Sequence, residues 1–365
     1  MSAIDPVKMP IAVQREAGES ILSRCVELAD ALVSLEFELH PELETRYGET
    51  GREKALQDAS YHLPFLAQAV AAGNPALFAD YIGWVKVVLA QRGVLSSDLL
   101  FHLQCLRDVL HTSLASEYRP AIDIVLDPAL AALPEMPEQI PSFMDSGSPH
   151  AALAHQYLQA LLRCDRQSAS RIILDAVDRG IPVKDLYLHV FQRGQYEIGR
   201  LWQLNQISVA QEHYCTAATQ MIISQLYPRI FSFRKSQKSI VAGCVAGDLH
   251  ELGGRMIADF FEMAGWNSYY LGASTPPESV VDIVVEKKAD VLGISATLTH
   301  HVRQVESLVR RVRATPECRD VIILVGGYPF NVVPDLWQQI GADGHSQDAA
   351  TVVALAEQLI EKRVA

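Results

Sequence analysis

The chain has no CxxC pair, so nothing in it reads as a zinc knuckle. Its cysteines, Cys25, Cys105, Cys164, Cys215, Cys244 and Cys318, stand far apart in apolar surroundings. They read as reduced core residues, which points to the cytoplasm. No run of 18 apolar residues occurs, so no membrane span is expected. The N-terminus, MSAIDPVKMPIAVQREAGES, lacks the apolar core of a signal peptide. Basic clusters are missing too, and the net charge is −12. That excludes a general nucleic-acid surface and a membrane surface as partners. What remains is a folded composition, and 365 residues are enough for two or three domains.

Three rhythms follow one another. Residues 1–135 carry apolar residues at helical spacing, as in ESILSRCVELADALVSLEFEL and NPALFADYIGWVKVVLAQRG. Asn74-Pro75 and Ser96-Ser97-Asp98 mark helix starts there, and Gly73 and Gly93 mark stops. The proline-rich stretch 136–148 reads as a linker. A second helical block, 149–235, contains four helices with short connections and suggests a four-helix bundle. From 236 to 365, short β-rich runs (SIVAGCVAG, NSYYLGA, DVLGISA, VIILVGG and a weak ADGHS) alternate with helical segments. Strict alternation predicts a doubly wound, five-stranded parallel sheet of flavodoxin or Rossmann type. With the order 2-1-3-4-5, ligands would bind beyond the carboxyl ends of strands one and three.

The unusual residues fall on that edge. Asp248, His250 and Gly253 follow strand one as D-x-H-x-x-G. Ser295 and Thr297 end strand three as S-x-T, and Gly326-Gly327 end strand four. A glycine pair at a strand end lets a ligand approach the backbone. Taken singly, each piece has an ordinary reading: a solvated loop histidine, or a glycine pair of the kind common in nucleotide folds. GDLHELGG is neither the GxGxxG fingerprint nor HExxH.

Together, over residues 237–365, these motifs resemble the cobalamin-binding domain. The resemblance implies that cobalamin is bound base-off, with His250 as lower cobalt ligand and Asp248 as its partner. A carboxylate on the far ring nitrogen fixes the tautomer of a ligating histidine. It also implies that Ser295 and Thr297 bond the displaced nucleotide tail, for which Gly253, Gly326 and Gly327 make room.

Upstream, Ser208 and Gln211 form a capping box that starts a helix near 209. Trp202 closes the preceding helix, so it can converge with Glu212-His213. The ordinary reading is a core tryptophan and an exposed Glu-His pair. The W-x9-E-H spacing resembles the adenosylcobalamin photoreceptors. That resemblance implies that Trp202, Val209, Glu212 and His213 surround the adenosyl upper ligand. A flat indole suits such packing, and Glu212 can accept hydrogen bonds from it. One departure stands out. Where the light-regulated transcription factors of that group carry a histidine after the tryptophan, this chain has Gln203. A stable bis-histidine product would then need His213 or His300. Their DNA-binding helix-turn-helix is also not found.

The segment HLPFLAQAVAAGNPALFADYIGWVKVVLAQRGV resembles globin-like sensor modules of bacterial stress signalling. A globin-like module before such a cap resembles the photocobilins. That implies a bilin such as biliverdin beside the cobalamin, with Tyr61, His62, Tyr81, Trp84 and Arg92 as candidate contacts. A helical core with an aromatic stripe explains any one of these equally well. Haem is the rival ligand, with His62, His102 and His111 at hand, and Cys25 or Cys105 offers covalent attachment.

The resulting expectation is a light sensor rather than an enzyme. It would bind adenosylcobalamin and a bilin, switch conformation on cobalt–carbon photolysis, and act by self-association (a dimer or higher) or through a partner signalling protein. The alternative is a corrinoid carrier of a methyltransferase system. A radical mutase lacks room for its barrel, and a cobalamin-free scaffold leaves His250 and its partners unexplained.

Overall fold

Short valine- and isoleucine-rich runs, each followed by a helix, shape the C-terminal third. The computed structural model describes residues 9–231 and 236–364. The strands are β1 (Ser239–Cys244), β2 (Asn267–Tyr270), β3 (Val291–Ser295), β4 (Ile322–Gly326) and β5 (Gly344–His345). All pair in parallel, in the order β2-β1-β3-β4-β5. The register sets Cys244 beside Ser295 and Ser295 beside Gly326, so three of the motif-bearing segments leave the sheet along one row. β1, β3 and β4 are buried along most of their length, as parallel strands covered on both faces must be.

The N-terminal unit, residues 1–139, is helical: α1 (Ile11–Ser23), α2 (Cys25–Leu39), α3 (Glu42–Tyr47), α4 (Gly51–Ala71), α5 (Pro75–Ala90), α6 (Ser96–Ser113) and α7 (Arg119–Ala132). The Asn74 side chain caps α5 through the Ala76 N–H, with Pro75 in the first turn. Ser96 makes no cap. Its hydroxyl donates to Glu138, and Asp98 instead takes Arg46 and Tyr47. Pro64 lies inside α4 and has no N–H for the Ser60 carbonyl. That carbonyl faces the Cys25 thiol at 3.9 Å. The buried Lys86 ammonium donates to the carbonyls of Leu133, Pro134 and Met136, tying down the chain beyond α7.

Residues 140–365 form the second unit. Its helical part comprises α8 (Ala151–Leu162), α9 (Arg166–Asp178), α10 (Val183–Leu186), a π turn (Tyr187–Phe191), α11 (Gln192–Gln203), α12 (Val209–Gln225) and α13 (Tyr227–Ile230). The π turn interrupts what the sequence presents as one helix. Between and after the strands come α14 (Glu251–Met263), α15 (Pro277–Lys287), α16 (Val302–Ala314), α17 (Tyr328–Val332), α18 (Leu336–Gln339) and α19 (Ala349–Val364). Helix α14 is apolar on two sides. Met256, Phe260 and Met263 join Tyr157, Phe191 and Ile222 in the bundle core, whereas Ala258 and Phe261 join Ile240 and Val291 under the sheet.

The boundary between the two units falls inside the proline-rich stretch 136–148, and that stretch is held by side-chain bonds along its length. Met136 and Glu138 are held by Lys86 and Ser96, whereas Ile140 accepts from Arg200, the Phe143 N–H donates to Glu197, and Met144 is buried in the bundle core. Its apolar residues find cores on either side of the 139/140 boundary. Cys164 is no core residue: it is exposed in the turn after α8, with φ 57°. The expected 235/236 junction adjoins residues 232–235, which lie outside the described residues.

A polar chain crosses the N-terminal core. Glu36 Oε1 lies 2.6 Å from His102 Nδ1, and His102 Nε2 lies 2.9 Å from His62 Nδ1, all three residues buried. Burial and the neighbouring His102 hold the His62 imidazole well below the usual 6.5, so it stays neutral in the fold. The unfolded chain then binds the extra proton, and His62 withdraws stability as pH falls below about 6.5. Urea titration of the N-terminal unit's transition should show its midpoint dropping between pH 7 and 5, and His62→Phe should flatten that drop. An unchanged slope in the variant would assign the acid sensitivity elsewhere.

Candidate functional site

The corner after β1 is built around one carboxylate. Gly247 turns the chain at φ 87°, and Asp248 follows, fully buried. Its Oδ1 accepts the His250 backbone N–H at 2.9 Å and His250 Nδ1 at 2.8 Å. Its Oδ2 accepts the Thr297 N–H at 2.6 Å, and His301 Nδ1 approaches at 3.6 Å. Burial by itself would raise this carboxyl. The bonds from His250 and the backbone, with His301 alongside, outweigh it and hold the group well below the usual carboxylate range.

His250 stands at the start of α14 with 56% of its side chain exposed. Because Nδ1 donates to an ionised Asp248, a neutral ring presents the Nε2 lone pair outward. The Asp248 bond raises the His250 pKa against partial burial, and the charges of Asp248 and Glu212 add to it. Gln220 of α12 bonds Glu251, the residue after this histidine, and accepts from Arg255 through its carbonyl, so α12 lies against the helix that His250 begins.

The glycines divide by role. A Cβ on Gly327 would sit 2.0 Å from the Ala296 carbonyl oxygen, and its φ of 106° is a glycine conformation. Gly326 has its nearest neighbour at 3.6 Å, and a Cβ on Gly253 would meet nothing within 4 Å. Gly253 thus leaves open space, whereas a Cβ on Gly326 would make ordinary contact with the Ser346 carbonyl oxygen. Gly254 is the one packed against the sheet, with Cys244, Ser295 and Tyr270 around its missing side chain. Ser295 is half-buried at the end of β3. Thr297 enters the site through its backbone N–H.

On the helical side, the capping box forms as the sequence indicated, with Ser208 and Gln211 bonding reciprocally at the start of α12. Trp202 is half-buried near the end of α11, Gln203 is buried, and Val209 is exposed. The Glu212 carboxylate accepts from His213, and Glu212 Oε1 lies 3.0 Å from the Thr216 hydroxyl. From there Gln195, Thr219 and Tyr157 continue a polar chain into the bundle. His300 is not placed for the upper side: its ring packs on His301 at 4.3 Å, within the Asp248 cluster.

The five candidate bilin contacts do not converge on one open site. His62 and Tyr81 are buried, the former bonded to His102 and the latter stacked on Phe65 at 3.7 Å. Tyr61 and Arg92 are exposed, and Arg92 donates to the Val88 carbonyl of its own helix. Trp84 is partly exposed beside Tyr81. Cys25 is turned to the Ser60 carbonyl, and Cys105 is buried with its thiol pushed up to about 12.

Sequence reasoning missed Gly254 and His301. The doublet His300-His301 shortly after S-x-T was the available signal for the latter. Among the described residues no group of three or more His, Cys, Asp or Glu side chains is gathered for a bare ion. One outward imidazole with a buried carboxylate behind it fits a metal that arrives with its other ligands already in place, and the open space at Gly253 fits a group entering beside it.

Residues 238–354 match a B12 binding domain, and residues 153–227 match a second model described as a B12 binding domain. A corrinoid protein of Desulfitobacterium hafniense is 27% identical over 216 residues, 58% of this chain and 99% of that one. Dimethylamine corrinoid protein 3 of Methanosarcina acetivorans is 24% identical over 57% of this chain and 97% of its own length. The solved monomethylamine corrinoid protein of Methanosarcina barkeri aligns over 58% of this chain and 99% of that chain, with a TM-score of 0.51 and 20% identity, and shares the fold. The chain is a cobalamin-binding protein, and both family matches fall in its second unit. No helix among the described residues is long and apolar enough to cross a membrane.

Gly327 offers a test of the site's architecture that needs no ligand. Gly327→Ala should destabilise the second unit by about 1–3 kcal/mol through the forced backbone shift, whereas Gly326→Ala should leave stability nearly unchanged. Equal thermal midpoints for the two variants would contradict the geometry.

Proposed function

We propose that this chain carries a corrinoid base-off, with His250 as the lower cobalt ligand and Asp248 as the residue that fixes its tautomer. Ser295 bonds the displaced nucleotide tail, which Gly253 admits, while Gly327 is the glycine that lets β4 turn close against the Ala296 backbone. The observation that carries the reading is His250 itself, pinned at Nδ1 by a buried carboxylate and open at Nε2 at the mouth of the crevice. Bound corrinoid supplies a labile cobalt–carbon bond. The protein supplies the lower imidazole, the slot for the tail, and a helical cover from α11 and α12. This is a carrier's equipment rather than a catalyst's, and the dimethylamine and trimethylamine corrinoid proteins among the relatives support delivery to a partner methyltransferase.

A specific feature favours a second reading, a light sensor bearing adenosylcobalamin. Trp202 and Val209 offer apolar surface, and Glu212, with His213 behind it, offers an acceptor on the side that faces His250. Those residues suit a large upper ligand with an aromatic base better than a methyl group. In this reading the N-terminal unit is a globin-like module that receives a bilin, and output passes through self-association or a signalling partner in the cytoplasm. Because Gln203 is buried and His300 belongs to the Asp248 cluster, His213 is the histidine left to answer the loss of the upper ligand.

The absorption spectrum of protein loaded with hydroxocobalamin tests the shared premise. His250→Ala should convert the His-on spectrum to a base-off or base-on one, and an unchanged spectrum and affinity would remove the ligand assignment. Trp202→Ala then separates the readings. A sensor should lose affinity for adenosylcobalamin by about tenfold, or about 1.4 kcal/mol, with methylcobalamin little affected. A carrier should show equal changes for both. Size-exclusion profiles before and after illumination provide the second discriminator.

A further inference from the structure

Helix α14 begins directly after His250 and carries residues of both the bundle core and the sheet core. Asp259 lies on it and is 5% exposed, where an apolar side chain would cost less. Its Oδ2 accepts a 2.8 Å hydrogen bond from the hydroxyl of Tyr187, the fully buried first residue of the π turn. The Tyr187 ring meets Phe260 and Phe191 edge-on. Tyr227 of α13 and Arg255 and Glu262 of α14 also face the carboxyl. Lys184 of α10 lies over the Phe260 ring at 5.9 Å. Arg255 in turn reaches α12, donating to the Gln220 carbonyl and the Ser224 hydroxyl, with Tyr227 beneath its guanidinium at 5.2 Å. A second tie, Gln220 to Glu251 at 2.8 Å, joins α12 to the first turn of α14.

We propose that Tyr187 and Asp259 are positioning residues that latch the helical bundle onto α14, and so set where Trp202 and Glu212 stand relative to His250. The latch belongs to the protein alone. Only the identity of what lies beneath Trp202 and Glu212 rests on the corrinoid reading.

The pair has a pH signature that simple packing lacks. Burial lifts the Asp259 carboxyl from 3.8 to about 6, against the lowering effects of Tyr187, Arg255 and Tyr227 and with a small push from Glu262. When the bundle lifts away, water returns and the group regains its ordinary value. The closed state therefore prefers the proton. Closure is strongest below 3.8, weakens as pH rises toward about 6, and changes little beyond. Between pH 5 and 7.5 the opening equilibrium should increase about tenfold.

Hydrogen exchange of the full chain without cobalamin, corrected for intrinsic rates, reads this opening at the π turn and α12. Oxidative labelling of Trp202 reads it at the covered face. The wild type should open about tenfold more at pH 7.5 than at pH 5. Asp259→Asn should keep an acceptor for Tyr187 and lose the pH slope. Tyr187→Phe should open more at every pH and keep the slope. A wild type with no slope overturns the latch, whatever the variants do, and so does a slope that persists in Asp259→Asn. Adenosylcobalamin titration of the wild type separates the two ideas: absence of binding with the slope intact would sink the corrinoid reading and leave the latch standing.

Discussion

The site depends on a carboxylate that has no contact with solvent. Asp248 is stable as an anion inside the protein only because three hydrogen bonds converge on it, from the His250 N–H, His250 Nδ1 and the Thr297 N–H, with the His301 ring alongside at 3.6 Å; they come from the turn after β1 and the end of β3. Those donors exist only when β1 and β3 are paired in register. The ligand geometry is therefore a property of the sheet, and the orientation of His250 is decided by strand pairing tens of residues away. A loop histidine without that carboxylate would have no fixed orientation.

This explains what could and could not be seen beforehand. The strand order, the switch between β1 and β3 and the start of α12 followed from local chemistry, namely β-branched runs ending in glycine and a Ser-x-x-Gln cap. The Asp248–His250 pair was legible because its two members lie on one turn. His301 and Gly254 were not, since each acquires its meaning from a partner distant in sequence. The proline-rich segment has the composition of a linker and contains the boundary between the units, but Met144 is apolar enough to find a core, and proline does not prevent a chain from packing while extended. The globin-like and bilin expectations rested on the resemblance of the segment at 62–94, and the structure divides the five candidate bilin contacts between interior and surface.

The second unit also shows how one helix can couple two layers. α14 holds apolar residues for each core, and among them sit two buried acids, Asp259 and Glu262, of which Asp259 meets the Tyr187 hydroxyl. Seen as sequence, RMIADFFEMAG is simply an amphipathic helix with an aspartate in it. Only burial on both sides makes that aspartate unusual, and only the π turn brings a phenol to meet it.

The π turn has one more consequence. It accommodates an extra residue inside a helix, and successive residues in an α-helix are turned by about 100° about the axis. Loss of any one residue between Tyr187 and Phe191 would let the segment regularise, and everything after it on α11 would rotate by that angle. Trp202 would then leave its present face of α11 without being mutated. A length change of one residue in this segment is thus a change of function for a side chain eleven or more positions away, and proteins of this kind should be compared here by counting residues before comparing their identities.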